Sequence, residues 1–278
     1  MKKIILSLLS VTSFEMATIA MAEDSPFSPA FVLGEQQLIS GTALGVGRLT
    51  FKPYARFAGV RFAAEDQVDE VFARQSFRLG LAGNAEIGIS DTYSDVGSTK
   101  FGYFHTVDGF SNPTISARKT WWPEGAVRVN LHGAITPKLG GSELRDISTI
   151  YSVGAGAAMI TESGLVTSLD VTRVMHDGNG TDSTAVSASV YREFGLYGLS
   201  VSGQLQNYNT VSPDIFLGRE LVESVNVGVS RKVAENSWLQ LAYQYSNSTY
   251  QERQIAPNFF NGANIKEDSL QATLRVFF

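Results

Sequence analysis

The stretch SLQATLRVFF, residues 269–278, alternates polar and apolar side chains along most of its length. Apolar residues stand at every even position from 270 to 278, and polar residues stand between them at 269, 271, 273 and 275. Successive side chains of a β-strand point to opposite faces. This stretch is therefore predicted to form a strand with one apolar and one polar face.

The same period of two recurs in the preceding chain, back to about Val46. Counting such segments gives about twelve strands. Most are close to the ~9–11 residues with which a tilted strand crosses a bilayer. The predicted spans are 46–62, 71–82, 85–95, 113–122, 126–136, 147–160, 165–176, 183–193, 197–209, 220–233, 237–248 and 267–278.

The connections between these segments favour a membrane barrel. Short turns, such as 83–84 and 161–164, alternate with longer loops, such as 63–70 and 94–112. Outer-membrane barrels have short periplasmic turns, long external loops and an even strand number. A soluble β-sandwich also alternates, but here every strand keeps an apolar face. We therefore predict an all-β fold, a single transmembrane antiparallel up-and-down β-barrel of about twelve strands.

Composition excludes several other classes of protein. The 278 residues carry a formal charge of -5 and include no cysteine. This excludes disulfide frameworks, cysteine zinc sites and lipid-anchored lipoproteins. The acidic balance argues against nucleic acid as a partner. After the first twenty residues no apolar run reaches 18 positions, so no transmembrane helix is predicted in the mature chain.

The N-terminus is typical of an exported protein. Two lysines precede an apolar run, and the small residues of Ala-Met-Ala end at Ala22. This pattern predicts a cleavable signal peptide over residues 1–22. Residues 23–45 are predicted to form an extended lead-in that could enter the interior, and residues 46–278 to form the barrel. The predicted location is the outer membrane of a Gram-negative bacterium, among lipid and lipopolysaccharide.

Leu274, Val276 and Phe278 place a terminal phenylalanine at the end of an alternating strand. This ending resembles the C-terminal assembly signal of bacterial outer-membrane proteins. The resemblance implies that the barrel-assembly machinery is a partner of this chain.

A second resemblance lies in the early strands. The segments SFRLGL at 76–81 and EIGIS at 86–90 flank a Gly83-Asn84 turn, and GFSNP follows at 109–113. They resemble the outer-membrane transporter family known as phenol meta-pathway components. That resemblance implies uptake of small molecules, aromatic ones among them.

The polar faces of the strands are predicted to line the lumen. Two acidic residues, Glu86 and Asp170, lie on these faces against nine basic ones, which gives +7. Strands on the far side carry mostly serine and glycine, which leaves space for solvent. Because rows of Arg and Lys select anions in pores, we predict a passive, anion-preferring channel for small solutes. The nine basic residues are Arg48, Lys52, Arg56, Arg74, Arg78, Arg118, Arg128, Lys232 and Arg275.

Two alternatives remain open at this point. The lumen arginines can pair with Glu86, Asp170 or loop carboxylates, which would give a closed structural or adhesive barrel acting through its external loops. The second alternative is a barrel lipid hydrolase, because the run from His176 to Gly180 is similar to the His-x-Ser-Asn run of outer-membrane phospholipases and deacylases. Gly178 occupies the serine position, so the nucleophile is missing.

Other chemistry is not supported. The three histidines lack metal-ligand spacing, and no nucleotide-binding glycine motif follows a strand. We therefore predict no catalytic residue, no metal site and no cofactor.

Overall fold

The computed structural model describes residue 44 and residues 46–62, 66–98, 107–121, 126–139, 149–177, 182–208, 217–252 and 264–278. No helix in these ranges is long and apolar enough to cross a membrane. The described residues form thirteen strands, named here in chain order. They are β1 (Leu49–Phe62), β2 (Asp66–Leu81), β3 (Ala85–Ser98), β4 (Val107–Phe110), β5 (Thr114–Trp121), β6 (Val127–Thr136), β7 (Thr149–Ile160), β8 (Leu165–Asp177), β9 (Ser183–Phe194), β10 (Tyr197–Tyr208), β11 (Leu217–Ala234), β12 (Ser237–Glu252) and β13 (Asn264–Phe277).

The strands close into one antiparallel barrel. Apart from the short β4, each strand pairs with the next along the chain, β3 pairs with β5, and β13 pairs back onto β1. Phe278 and Leu49 exchange backbone hydrogen bonds of 2.8 and 3.1 Å at the seam. A closed barrel has no sheet edge, so the backbone groups of its strands can all be paired without water.

The short strand β4 does not add a thirteenth place to the ring. It pairs with the far end of β3, from Tyr93 to Val96, whereas β5 pairs with the near end, from Ala85 to Ser90. Together β4 and β5 occupy one position that is interrupted at 111–113. The predicted all-β, twelve-stranded up-and-down barrel is therefore confirmed.

The outer face of the barrel is apolar and the lumen is polar. On β11, Val225, Val227 and Val229 are 51%, 44% and 53% exposed. Gly228 and Ser230, which alternate with the last of these valines, are buried. The same arrangement, with apolar residues on the outside and polar or small residues on the inside, recurs around the ring. This is the arrangement that strands facing lipid require. Further exposed outward residues are Ile87, Ile115, Leu131, Val153, Leu169, Val190, Val201, Leu241 and Leu270.

The two rims of the barrel differ. One rim, called here the turn end, carries tight turns and both the start of β1 and the end of β13. Gly83 and Asn84 adopt φ angles of 71° and 57° there. Leu81 and Ala85 are paired, so residues 82–84 form a three-residue turn, and glycine and asparagine are the residues that adopt positive φ most readily. The opposite rim is called the loop end.

Several predicted loops are shorter than expected: within 94–112, β3 continues to Ser98 and β4 takes up Val107–Phe110. The segment 63–70 was expected to form a long loop, but β2 begins at Asp66, so the connection to β1 spans only 63–65. The strict alternation of short and long connections therefore fails at this position. The physical reason is that backbone pairing continues after the apolar alternation has ended.

Candidate functional site: the lumen

Four of the nine predicted basic residues form one surface, called here the cationic wall. Lys52 and Arg56 on β1 and Arg74 and Arg78 on β2 line a cavity of about 420 Å³, together with Tyr54. These side chains alternate with outward residues such as exposed Phe57 and Phe77, which fixes their inward direction. The register brings the two strands side by side, with Lys52 opposite Ser76 and Tyr54 opposite Arg74.

The other five basic residues lie elsewhere in the ring. Arg118 on β5 and Arg128 on β6 face the lumen beyond β3, and Arg48 directly precedes β1. Lys232 and Arg275 lie near the turn end. There the Lys232 Nζ is 5.2 Å from the centre of the Trp238 ring, and Arg275 Nη2 donates a 2.7 Å hydrogen bond to Gln240 Oε1. The structure therefore brings together only part of the predicted set.

Glu86 is the carboxylate that lies among the inward-facing basic residues near the turn end. Its carboxylate is buried, with 5% of the residue exposed, and lies 3.3 Å from Arg78 Nη1 and 3.5 Å from Arg118 Nη1. The backbone N–H of Leu44 donates a 3.0 Å hydrogen bond to Glu86 Oε2. The residue at the end of the lead-in is thus bound inside the barrel. The rest of the lead-in, residues 23–43, lies outside the described residues.

Asp170 is held by a neighbour that the sequence prediction left out of the site. The Nε2 of His132 lies 2.8 Å from Asp170 Oδ2, and Thr172 donates a 2.7 Å hydrogen bond to Asp170 Oδ1. The bond crosses over β7, where Gly154 pairs with His132 on one side and Thr172 on the other. The combination of an inward histidine and a glycine on the next strand was the available sequence signal.

Two more carboxylates face the lumen than the sequence predicted. Glu267 forms an ion pair with Arg56, and Glu193 accepts a 3.0 Å hydrogen bond from Tyr191. Among inward positions whose side chains are described, nine basic and four acidic residues leave +5 rather than +7. Glu193 was missed because the bulky Tyr191 interrupts the pattern of small inward residues on β9. Glu267 was missed because it lies where the apolar alternation of β13 begins.

The turn end of the lumen is densely packed. Leu44, Thr50 and Tyr191 are each only 1% exposed there, and Ser230 is 2% exposed. Two cavities lie further along the lumen, beyond this turn-end layer, and the cavity beside the cationic wall is one of them. The lumen therefore combines a filled end with a solvated middle.

The buried ring nitrogen of the candidate catalytic histidine is bonded to no nucleophile in the part of the chain that the structure describes. His176 lies at the loop end of β8, and its backbone N–H donates to Asp182 Oδ1 at 3.0 Å. Its buried ring Nδ1 has no hydrogen-bond partner among the described residues. The position that would carry a serine is Gly178, which lies outside those residues.

No protein-family model and no curated protein sequence matches the chain. Solved structures do match it. The COG4313 outer membrane channel from Pseudomonas putida F1 superposes with a TM-score of 0.66 at 10% identity, covering 85% of this chain and 97% of that chain. The chain has the fold of an outer-membrane β-barrel. The NanC porin has a TM-score of 0.55 at 8% identity, covering 81% of the barrel chain and 98% of its own. Both similar structures are named as a channel or a porin.

Proposed function

We propose that this barrel is a passive channel in the bacterial outer membrane and that it passes small solutes with a preference for anions. The single observation that carries the preference is the cationic wall, because four basic side chains surround one cavity of about 420 Å³. The excess of +5 on the described inward face supports the same sign. Rows of Arg and Lys are how pores select anions.

The physics of the barrel strengthens this field. A wall of one charge sign with a low-dielectric surround focuses field lines and raises the local counter-ion concentration. Here the surround is the apolar outer face and the lipid against it. No energy-coupling element is needed, because solutes would move down their gradients through the lumen.

The ends of the chain fit export to that membrane. Leu274 and Val276 follow the outward alternation of β13, and Phe278 closes the seam against Leu49. We propose that this ending is read by the barrel-assembly machinery and that residues 1–22 are the signal peptide. The loop end would then face lipopolysaccharide. We also propose that the protein has no catalytic role, since Gly178 replaces the serine a lipid hydrolase would need.

The test is the reversal potential of protein purified from outer membranes, measured in a planar bilayer across a KCl gradient. We expect an anion-selective potential that falls in the variant Lys52→Gln with Arg74→Gln. The matched control is Arg192→Gln with Arg231→Gln, which removes the same charge from the outward face, where the two arginines lie over Phe194 and Tyr197. Equal effects of the two double variants would contradict a role for the cationic wall.

A closed structural or adhesive barrel is the second candidate. The observation that favours it is the turn-end layer, where Leu44 and Tyr191 leave almost no exposed surface. A closed barrel would show no conductance, and a cysteine introduced at Ser202 would resist hydrophilic thiol reagents. Stable conductance steps from correctly folded, heat-modifiable protein would exclude this candidate.

A further inference from the structure

Across the lumen from the cationic wall lies a surface of a different chemistry. In a ring of twelve strand positions, β8 to β10 stand six places from β1 to β3, and so face them. A second cavity, of about 400 Å³, extends from this side along β11 to β12, which is separated from β1 by β13 alone. Its lining is dominated by uncharged hydroxyl and carboxamide groups, called here the amide wall: Ser187, Ser202, Gln204, Ser224, Asn226 and Gln244.

The members of the amide wall are adjacent through the strand register. Gln204 lies between Ser187 on β9 and Ser224 on β11, and Asn226 is the neighbour of Gln244 on β12. A hydroxyl can donate and accept a hydrogen bond, and a carboxamide carries two donors and one acceptor oxygen. The wall therefore offers closely spaced donors and acceptors without a net charge.

One polar atom in this cavity has no partner. Asn130 on β6 lines the cavity and is 3% exposed. Its Oδ1 is buried and accepts no hydrogen bond from the residues that the structure describes. Buried amide oxygens are almost always paired. Rotation of the Asn130 side chain would turn this acceptor toward a ligand that brings a hydroxyl donor into the cavity.

We propose that the solute is a small carboxylate that bears several hydroxyl groups, that is, a sugar acid. This proposal rests on the proposed channel function and adds the substrate class. The carboxylate would face Arg74 and Arg78, and the hydroxyl groups would face the amide wall. Gln204 donates to Gln206 and Asn226 donates to Gln271, and each carboxamide keeps further donor and acceptor capacity. An aromatic carboxylate fits less well, because its ring would cover that remaining capacity without bonding to it.

The test compares three solutes as blockers of the chloride current through the intact purified barrel. Glucuronate carries both a carboxylate and hydroxyl groups, benzoate carries only the carboxylate, and glucose carries only the hydroxyl groups. We expect the half-blocking concentration to be lowest for glucuronate and at least several-fold higher for the other two.

The residue-level test removes the amide wall while keeping the cationic wall. Gln204→Leu with Asn226→Leu should raise the half-blocking concentration of glucuronate roughly tenfold, since two hydrogen-bonding groups are lost. Its reversal potential in KCl should keep the anion-selective sign, because all four residues of the cationic wall remain. The matched control is Val201→Leu with Val227→Leu, on the outer face of the same two strands, which should change neither quantity.

The outcomes separate this inference from the proposed function. If benzoate blocks as well as glucuronate, or if the amide-wall variant blocks like the unmodified barrel, the sugar-acid assignment is wrong and the anion-preferring channel stands. If the reversal potential shows no anion preference, or the folded barrel does not conduct, both proposals are overturned.

Discussion

Replacing Gly154 with alanine tests how the lumen network is built. The hydrogen bond between His132 Nε2 and Asp170 Oδ2 crosses β7 at this position. A Cβ at Gly154 would lie 2.6 Å from His132 Nε2 and 2.8 Å from Thr172 Oγ1. Both separations are shorter than a carbon can tolerate, so the imidazole must swing away from the carboxylate.

The expected magnitude follows from two opposing terms. Losing a hydrogen bond to a charged group costs about 1.5–3 kcal/mol. Alanine in a strand interior regains about 0.5–1 kcal/mol relative to glycine. We therefore expect Gly154→Ala to lower the free energy of unfolding by about 1–2 kcal/mol.

Gly203 supplies the matched control. An added Cβ there meets only the backbone oxygen of Ser224, at an ordinary 3.8 Å. Gly203→Ala should therefore stabilise the barrel, by about 0.5–1 kcal/mol, because only the backbone term remains. The two glycine substitutions are expected to change the free energy of unfolding in opposite directions. An opposite sign is easier to test than a difference in size.

The assay is urea unfolding of the barrel in lipid vesicles, followed by tryptophan fluorescence, with the midpoint and slope compared between variants. A double-mutant cycle with His132→Ala isolates the pair, because Gly154→Ala should cost little once the imidazole is gone. The reasoning is refuted if Gly154→Ala is as stable as Gly203→Ala. It is also refuted if the two effects in the cycle simply add.

Three further predictions concern the charges and the faces of the barrel. Anion preference should be stronger at 0.1 M than at 1 M KCl, because the Debye length falls from about 10 to 3 Å; a reversal potential insensitive to ionic strength would contradict a field-based mechanism. Glu86→Gln should destabilise the barrel by roughly 3 kcal/mol, since it leaves Arg78 and Arg118 without their carboxylate, and it should increase anion selectivity. Urea unfolding measures the first effect and the reversal potential in a KCl gradient measures the second; an unchanged stability would argue against a structural role of Glu86. Val227→Arg should cost about 2–4 kcal/mol on the lipid face, whereas Asn226→Arg on the lumen face should cost far less; equal costs in vesicle unfolding would mean that the faces are assigned wrongly.

Strand positions were largely predictable because lipid and lumen impose opposite polarities on alternate side chains. Where both environments are present, as along β6 and β10, the predicted and observed boundaries agree within a residue. At the loop end the strands extend beyond the apolar pattern. β2 starts at Asp66 and β12 runs to Glu252, beyond the predicted ends at 71 and 248. The ladder there is maintained by backbone pairing, which hydropathy does not report.

The candidate site was less predictable, because its geometry depends on register. Inward direction follows from local alternation, and so the four residues of the cationic wall could be placed. The bond between His132 and Asp170 joins strands that are separated by β7, and no local pattern reports it. Likewise, the Lys232 Nζ lies 5.2 Å from the centre of the Trp238 ring, a contact between β11 and β12 that depends on their register.

The distribution of carboxylates separates the structural charges of the lumen from the functional ones. Glu86 lies between two arginines close to the packed turn end, and Glu267 pairs with Arg56. Arg74 instead donates to the hydroxyl of Thr92 at 3.0 Å and is exposed to the cavity. Charge without a paired counter-charge is costly when buried but tolerable in water. Arg74 therefore adds positive charge to the cavity, where a passing anion can balance it.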